Sequence, residues 1–537
     1  MRFAALALSV LLAGAWPAAA QHDQHAVGDR LGTVHFETSC APASSVDFDR
    51  AVALLHSFEY RPAMESFNKV LAADSSCAIA HWGIALCQWG NPFAGVKAGP
   101  LLERGLAAAR QGLATGRPTA REKAYLVAVN ELYANAATVA HRDRTLAYAK
   151  AMDAVQRDNP SDIEAKIFYA LAVSQTAAPT DKTYSAQLQA AGILEPLWAR
   201  YPEHPGLPHY IIHAYDHPPL AAKALDAARR YAKIAPSAPH ALHMPSHTFT
   251  RVGSWQESVD TNIASEQEAI KAAVMAEALH AMDYQAYAYL QMAQDQKARA
   301  VLSRVPAVVA KLDVNAMGGA APGVAGIYAR NAIAARYALE RGAWAEAAAL
   351  EVVPTTFPYA DAVTHFARAL GAARSGAPAA AKPDLDRLTV LRDALAAAND
   401  PYWTEQLNIQ HQVATAWVTF AEGKKDEGLR LMRAAADAED ATDKAAISPG
   451  PIAPARELLG EMLMQAGDPR AALTAFEATM AKEPGRFRGA YGAATAADAA
   501  GDPARAAALF AKVLAGASAA DGSRPELARA KAGAQRR

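Results

Sequence analysis

Long apolar runs are almost missing from this 537-residue chain. The one clear example, residues 3–16, follows Met1 and Arg2 and is followed by Pro17-Ala18-Ala19-Ala20. It falls short of the roughly 20 apolar residues that a membrane-spanning helix requires. A basic start, a short apolar stretch and an Ala-x-Ala end instead have the form of a secretory leader. Cleavage after Ala20 is expected, with Gln21 as the new N-terminus and a periplasmic or secreted destination; an uncleaved anchor is the competing reading. No cysteine stands at the cleavage point, which argues against lipid attachment, and no later segment is apolar enough to enter a membrane.

Cysteine is scarce as well, with only Cys40, Cys77 and Cys87. Export to an oxidising compartment favours one disulfide. On a shared helix Cys77 and Cys87 would stand about 15 Å apart, too far to bridge. Cys40 with Cys77 or Cys87 is therefore the expected pair, Cys40–Cys77 before Cys40–Cys87, against the alternative of three free buried thiols. An excess of charge is also lacking. The formal net charge is −1, which removes any electrostatic case for nucleic acid or an anionic membrane as partner. There is no Gly-rich phosphate loop to imply a nucleotide cofactor and no His-Glu-x-x-His zinc-protease motif. Ser246 lies between two histidines, but its small size has another explanation, given below.

What the chain does contain is alanine-rich sequence with apolar residues at i, i+3, i+4 and i+7, almost without strand-like alternation. That pattern predicts an all-α fold. Repeats are visible near the C-terminus. Gly467-Asp468-Pro469 recurs as Gly501-Asp502-Pro503, and Phe476 as Phe510, both at an offset of 34. Gly460, Ala472, Phe476 and Pro484 occupy small, small, aromatic and proline positions of one unit. Near the N-terminus Ala63, Phe67 and Val70 repeat the pattern, and the next helix carries His81, Trp82 and Ala85. These residues resemble the tetratricopeptide repeat (TPR) superfamily. The resemblance implies an α-solenoid of helical hairpins forming a superhelix, with a concave groove for a protein, peptide or small ligand. It implies no chemistry. The expected organisation is a leader (1–20), an extended segment (21–45), a TPR-like array (46–313) with a His-rich groove (204–287), degenerate repeats (314–446), a C-terminal repeat pair (447–515) and a frayed tail (516–537). Residues 314–326, 371–384 and 447–454 are read as breaks because Gly and Pro are dense there.

Histidine is the unusual component. Seven of the 16 fall between positions 204 and 247: His204, His209, His213, His217, His240, His243 and His247. With Pro236 closing one unit, His209 and His213 take positions 5 and 9. In the next unit Ser246 takes the small position 8, and His243 and His247 again take 5 and 9. His240, Asp216 and His217 fall on further groove positions of the family pattern, as do His280, Asp283 and Tyr287 once Ala298 anchors the following unit. Two histidines at i,i+4 share a helix face and can share a metal ion. His209, His213, His243 and His247 are therefore the expected ligands of a transition metal such as zinc, copper or iron. Asp216, His217, His240, His280, Asp283 and Tyr287 are expected to support them or line the groove. Glu257, Glu266 and Glu277 read as solvated helix-face residues. Pro245, between His243 and His247, warns of a broken helix.

The blocks HYIIHAYDHP (209–218) and PHALHMPSHTFTRVGSW (239–255) also resemble those of a group of exported bacterial TPR proteins, as do VHFETSC (34–40), HSFEY (56–60) and AHWGIA (80–85). The resemblance implies that the blocks work together and supplies no reaction. The expected function is an exported solenoid that binds a ligand or protein partner and carries a metal. The rivals are a metal-dependent hydrolase or oxidoreductase using the same histidines, and a plain interaction scaffold whose histidines hydrogen-bond along the helix seam or bind an anionic or aromatic ligand.

Overall fold

A computed structural model describes residues 29–97, 99–178, 181–316 and 319–535. The expected leader and its cleavage point lie outside the described residues. Those residues form helices joined by short turns, with no strand among them.

The repeated Gly-Asp-Pro triplet shows why helices stop and restart where they do. Gly467 has φ +84° and Gly501 φ +82°, backbone that any side chain would strain. Asp468 and Asp502 then cap the next helices, Pro469–Lys482 and Pro503–Gly516, their carboxylates accepting from the Ala471 and Arg505 N–H groups. The prolines occupy first-turn positions, where a missing N–H costs nothing.

The small and aromatic repeat positions have an equally direct meaning. A Cβ at Gly460 would lie 2.8 Å, and one at Gly492 2.4 Å, from ring carbons of Phe476. Phe67 closes on Gly83 in the same way, and Phe510 on Gly533. Each ring fills the gap between hairpins because its neighbours have no side chain. Phe476→Ala should therefore cost about 3–5 kcal/mol, read as a lowered urea midpoint; a change below about 1 kcal/mol would mean this contact does not hold the hairpins together.

Helices pack mainly on their neighbours in sequence and on the next helix but one. Among the described residues, two contacts join helices far apart in the chain. Ser45–His56 meets Gly206–Tyr215, and Met275–Gln291 meets Phe487–Ala499. One large core extends from Leu31 to Phe249, a second from Ala293 to Ala530, and a smaller one around Met275–Gln291 joins them. The histidines lie near that junction.

Cys40 and Cys77 form a disulfide with Cα atoms 4.8 Å apart, and Cys87 is buried and free. The disulfide ties down the extended N-terminal segment, whose Phe36 ring packs on Phe48, Trp82 and Tyr125. Two expectations change. The tail read as frayed carries a helix, Pro525–Ala534, docked by the Arg524–Asp295 ion pair and by Asp521 accepting from the Gln296 and Lys297 N–H groups. Most of residues 371–384 is helical: Pro358–Arg374 runs into the segment, a 3-10 turn covers Pro378–Ala381, and Lys382–Ala397 runs out of it. Pro383 falls in a first turn, where proline starts a helix rather than breaking one.

Candidate metal centre

Four helices carry the histidines. Gly206–Tyr215 bears His209 and His213, Pro239–His243 bears His240 and His243, Pro245–Val252 bears His247, and Met275–Gln291 bears His280. Pro245 does interrupt the helical ladder. Met244, however, keeps helical dihedrals (φ −51°, ψ −37°) across the break, so His243 and His247 stay on one face.

Six imidazoles pack as two adjoining groups of three. In the first, one nitrogen each from His209, His213 and His240 lies within 4.8 Å of the others. His243, His247 and His280 form the second, on the same criterion. Ring centroids of His213 and His247 are 6.2 Å apart, and those of His240 and His243 6.0 Å, so the groups touch. The four histidines expected as one ligand set are thus divided between two. His240 and His280, expected as supporting residues, complete them. All six are buried except His213, which is partly exposed and stacked on Phe93.

The hydrogen-bond partners determine which ring nitrogens carry protons. His247 Nδ1 donates to Asp216 Oδ2 at 2.8 Å. His243 Nδ1 donates to Asn262 Oδ1 at 2.7 Å, the Asn262 amide nitrogen being used on the Ser258 carbonyl. His209 Nδ1 donates to the His56 carbonyl at 2.5 Å. In each neutral ring the proton sits on Nδ1, leaving a lone pair on Nε2. The His243 and His247 Nε2 atoms face each other at 3.0 Å. Several ring nitrogens have no hydrogen-bond partner although they are buried: His209 Nε2, His213 Nε2, both nitrogens of His240 and His280 Nδ1. Such orphans are costly in a folded protein unless something else satisfies them.

The surroundings keep five of the rings neutral. Burial, reinforced by neighbouring imidazoles, holds His209, His213 and His243 well below the usual histidine range. His247 is lowered to about 4, burial outweighing the nearby Asp216 carboxylate, and His280 to about 3, burial outweighing Glu277. Burial alone would raise Asp216, but the Lys444 and Arg251 charges beside it keep it ionised, at 3.2 and 2.9 Å.

Two carboxylates missed as site residues stand next to the cluster. Glu277, read as a solvated helix-face residue, is 1 % exposed. Its Oε1 accepts from the Ala321 N–H at 2.6 Å, while Oε2 has no hydrogen-bond partner and lies 3.9 Å from His240 Nδ1. Its place three residues before His280, on the same helix face, was the available signal. Glu59 accepts from the His240 N–H at 3.1 Å, and burial followed by the Glu277 charge raises it to about 8. Nothing in its local sequence announced that contact, which spans 181 positions.

The remaining expected residues lie elsewhere. His217 contacts Gln187 and Asp443. Asp283 pairs with the fully buried Arg336, which also reaches Ser448 and Gly450 in the loop before Ala455. Tyr287 donates to Glu483 and accepts from Arg486. These belong to an interior ion network rather than to the imidazole cluster, because Asp283 and Tyr287 meet cations from later helices. A further buried group, His56, Glu164 and His204, also has metal-compatible spacing. There Glu164 accepts from both Nε2 atoms at 2.8 and 2.9 Å, so donors already satisfy the carboxylate.

Set against models of protein families and against curated proteins, the chain matches none.

Proposed function

We propose that this is an exported TPR-type solenoid that holds a transition-metal ion on His243, His247 and His280 and uses its concave side for a ligand or protein partner. The observation that carries the metal reading is the facing pair of Nε2 lone pairs at 3.0 Å. Bare lone pairs repel at that distance, whereas bonds of about 2.0–2.1 Å to a tetrahedral ion would set two imidazole nitrogens about 3.3 Å apart. A metal-free account must make either His243 or His247 an imidazolium donating from both nitrogens, and burial opposes both, holding His243 well below the usual histidine range and His247 at about 4. An all-imidazole triad suits zinc, copper or iron and not the hard ions calcium or magnesium. The aligned Gly-Asp-Pro caps and glycine-seated rings support the repeat reading, and the Cys40–Cys77 disulfide supports an oxidising, periplasmic or secreted location.

Protein purified without an affinity tag should carry near-stoichiometric metal by elemental analysis. No metal, together with an unchanged melting temperature on adding zinc or copper, would leave the plain scaffold. Asn262 holds the His243 tautomer. Asn262→Leu should therefore weaken zinc binding by about 10–100-fold in a chelator competition; unchanged affinity would remove Asn262 from the site.

A specific observation favours a second reading, a metal-dependent enzyme. The Tyr284 hydroxyl lies 3.4 Å from His247 Nε2 and 3.4 Å from the Ser448 carbonyl. Ser448 lines a small cleft that also includes Arg251, Lys444, Tyr402, Trp403 and Gln406. Azide added to the cobalt(II)-loaded protein should shift its visible spectrum if an open coordination position serves that cleft. An unchanged spectrum assigns the ion to binding alone.

A further inference from the structure

We infer that the cluster takes two transition-metal ions, the second on His209, His213 and His240, with Glu277 as the carboxylate shared between them. This rests on the metal reading above and goes beyond it in number, place and bridging group.

Each triad is a ligand set in its own right. Its three nitrogens lie within 4.8 Å of one another, and the two sets have no residue in common. Bonds of about 2.1 Å set donors of one tetrahedral ion about 3.4 Å apart, so a triad whose nitrogens lie within 4.8 Å closes by at most about 1.4 Å per pair to complete a site. The unsatisfied atoms divide in the same way. The first triad holds His209 Nε2, His213 Nε2 and both nitrogens of His240 without hydrogen-bond partners, and the second holds His280 Nδ1. An ion on the second triad alone would leave four buried orphan nitrogens in the first. His209 is held in one tautomer, since its Nδ1 proton goes to the His56 carbonyl and its buried Nε2 keeps a lone pair without a hydrogen bond. The Pro239–His243 helix contributes one histidine to each triad, His240 to the first and His243 to the second.

Two divalent ions at neighbouring positions repel unless an anion lies between them. Glu277 meets that requirement. Its Oε2 is buried and unpartnered and lies 3.9 Å from His240 Nδ1, while its helix carries His280 one turn on. The carboxylate therefore stands beside one ligand of each triad. Asp216 cannot serve, since its oxygens are taken by His247, Arg251 and Lys444. Neutral nitrogen donors with one carboxylate select zinc(II), copper(II) or iron(II).

The test is a count followed by a distance measurement on the untagged full chain. After loading with zinc and desalting, elemental analysis should give two ions per chain, and His209→Ala and His280→Ala should each give one. One ion in the unaltered chain overturns the second site and leaves the metal reading standing; zero overturns both. Loading with copper(II) tests adjacency without any substitution. Two neighbouring copper ions should give a half-field resonance or lose signal through coupling, whereas two full mononuclear spectra would overturn the shared centre. Glu277→Gln, checked for an unchanged melting temperature in its metal-free form, should weaken binding of the second zinc equivalent by at least about 10-fold; equal affinity for both equivalents would remove Glu277 from the bridge.

Discussion

Replacing His243 and His247 together with alanine is expected to weaken zinc or copper binding at their triad by more than about 100-fold, beyond the loss that follows removal of a merely supporting group. The two rings supply the facing lone pairs, at 3.0 Å, and Asp216 and Asn262 hold both in the metal-ready tautomer. The informative control is His217→Ala. His217 belongs to the same run of sequence but contacts Gln187 and Asp443 instead of the cluster, so it should retain metal at the level of the unaltered chain. Equal retention by the double variant and the His217 variant would disprove the assignment. Loss in both would mean that the whole segment, rather than the rings, is responsible.

The second large effect concerns acid. Five cluster histidines, His209, His213, His243, His247 and His280, have folded pKa values below the ordinary 6.5. Below pH 6.5 the unfolded chain binds protons that the folded chain refuses, so stability falls with pH down to about 4 for His247 and about 3 for His280. Each contributes about 1.4 kcal/mol per pH unit in that window. Three buried carboxylates act in the opposite sense. Glu59 is raised to about 8, Glu439 to about 7 and Asp283 to about 6, burial being the first cause in each, and their contributions grow as pH falls through those values. The histidines outnumber them. His56 and His141 are lowered as well, so a net loss of at least about 2 kcal/mol is expected for the metal-free chain between pH 7 and pH 5.5, read from the urea midpoint in the presence of a chelator. A midpoint that holds steady or rises over that interval would contradict the burial of neutral rings.

Much of the scaffold could be read from local sequence. Apolar spacing implied helices throughout. The triplet Gly-Asp-Pro carries its own instructions for ending one helix and capping the next, and the repeat register gave Gly460 a small and Phe476 an aromatic position; that Gly492 seats the same ring came only from the structure. The tail was misread because its anchors, Asp295 and Leu290, lie more than two hundred positions away and leave no trace in the tail's own composition.

The candidate site was legible only in part. The register indicated that His209, His213, His243 and His247 belonged to equivalent faces of successive hairpins. It did not show that His240 and His280 stand among those rings, or that Asp283 and Tyr287 stand among later cations, because a repeat position states which side of a helix a residue occupies and not what stands opposite. Glu277 was read as solvated for the same reason: a single glutamate on a helix usually is, and only the segment at Ala321 packed over it makes it a buried neighbour of His240.

What the sequence determined by itself was everything that depends on neighbours along the chain: helical periodicity, capping, the small–aromatic register, and the concentration of imidazoles within one stretch. The tertiary structure alone decided how those imidazoles divide into two triads, which nitrogens keep free lone pairs, and which carboxylate stands beside them. Those outcomes depend on approaches between helices, such as His56 to His209 across 153 positions and Glu59 to His240 across 181. Shifts of an ångström or two there separate a ligand from a bystander, and no periodicity in the chain encodes them.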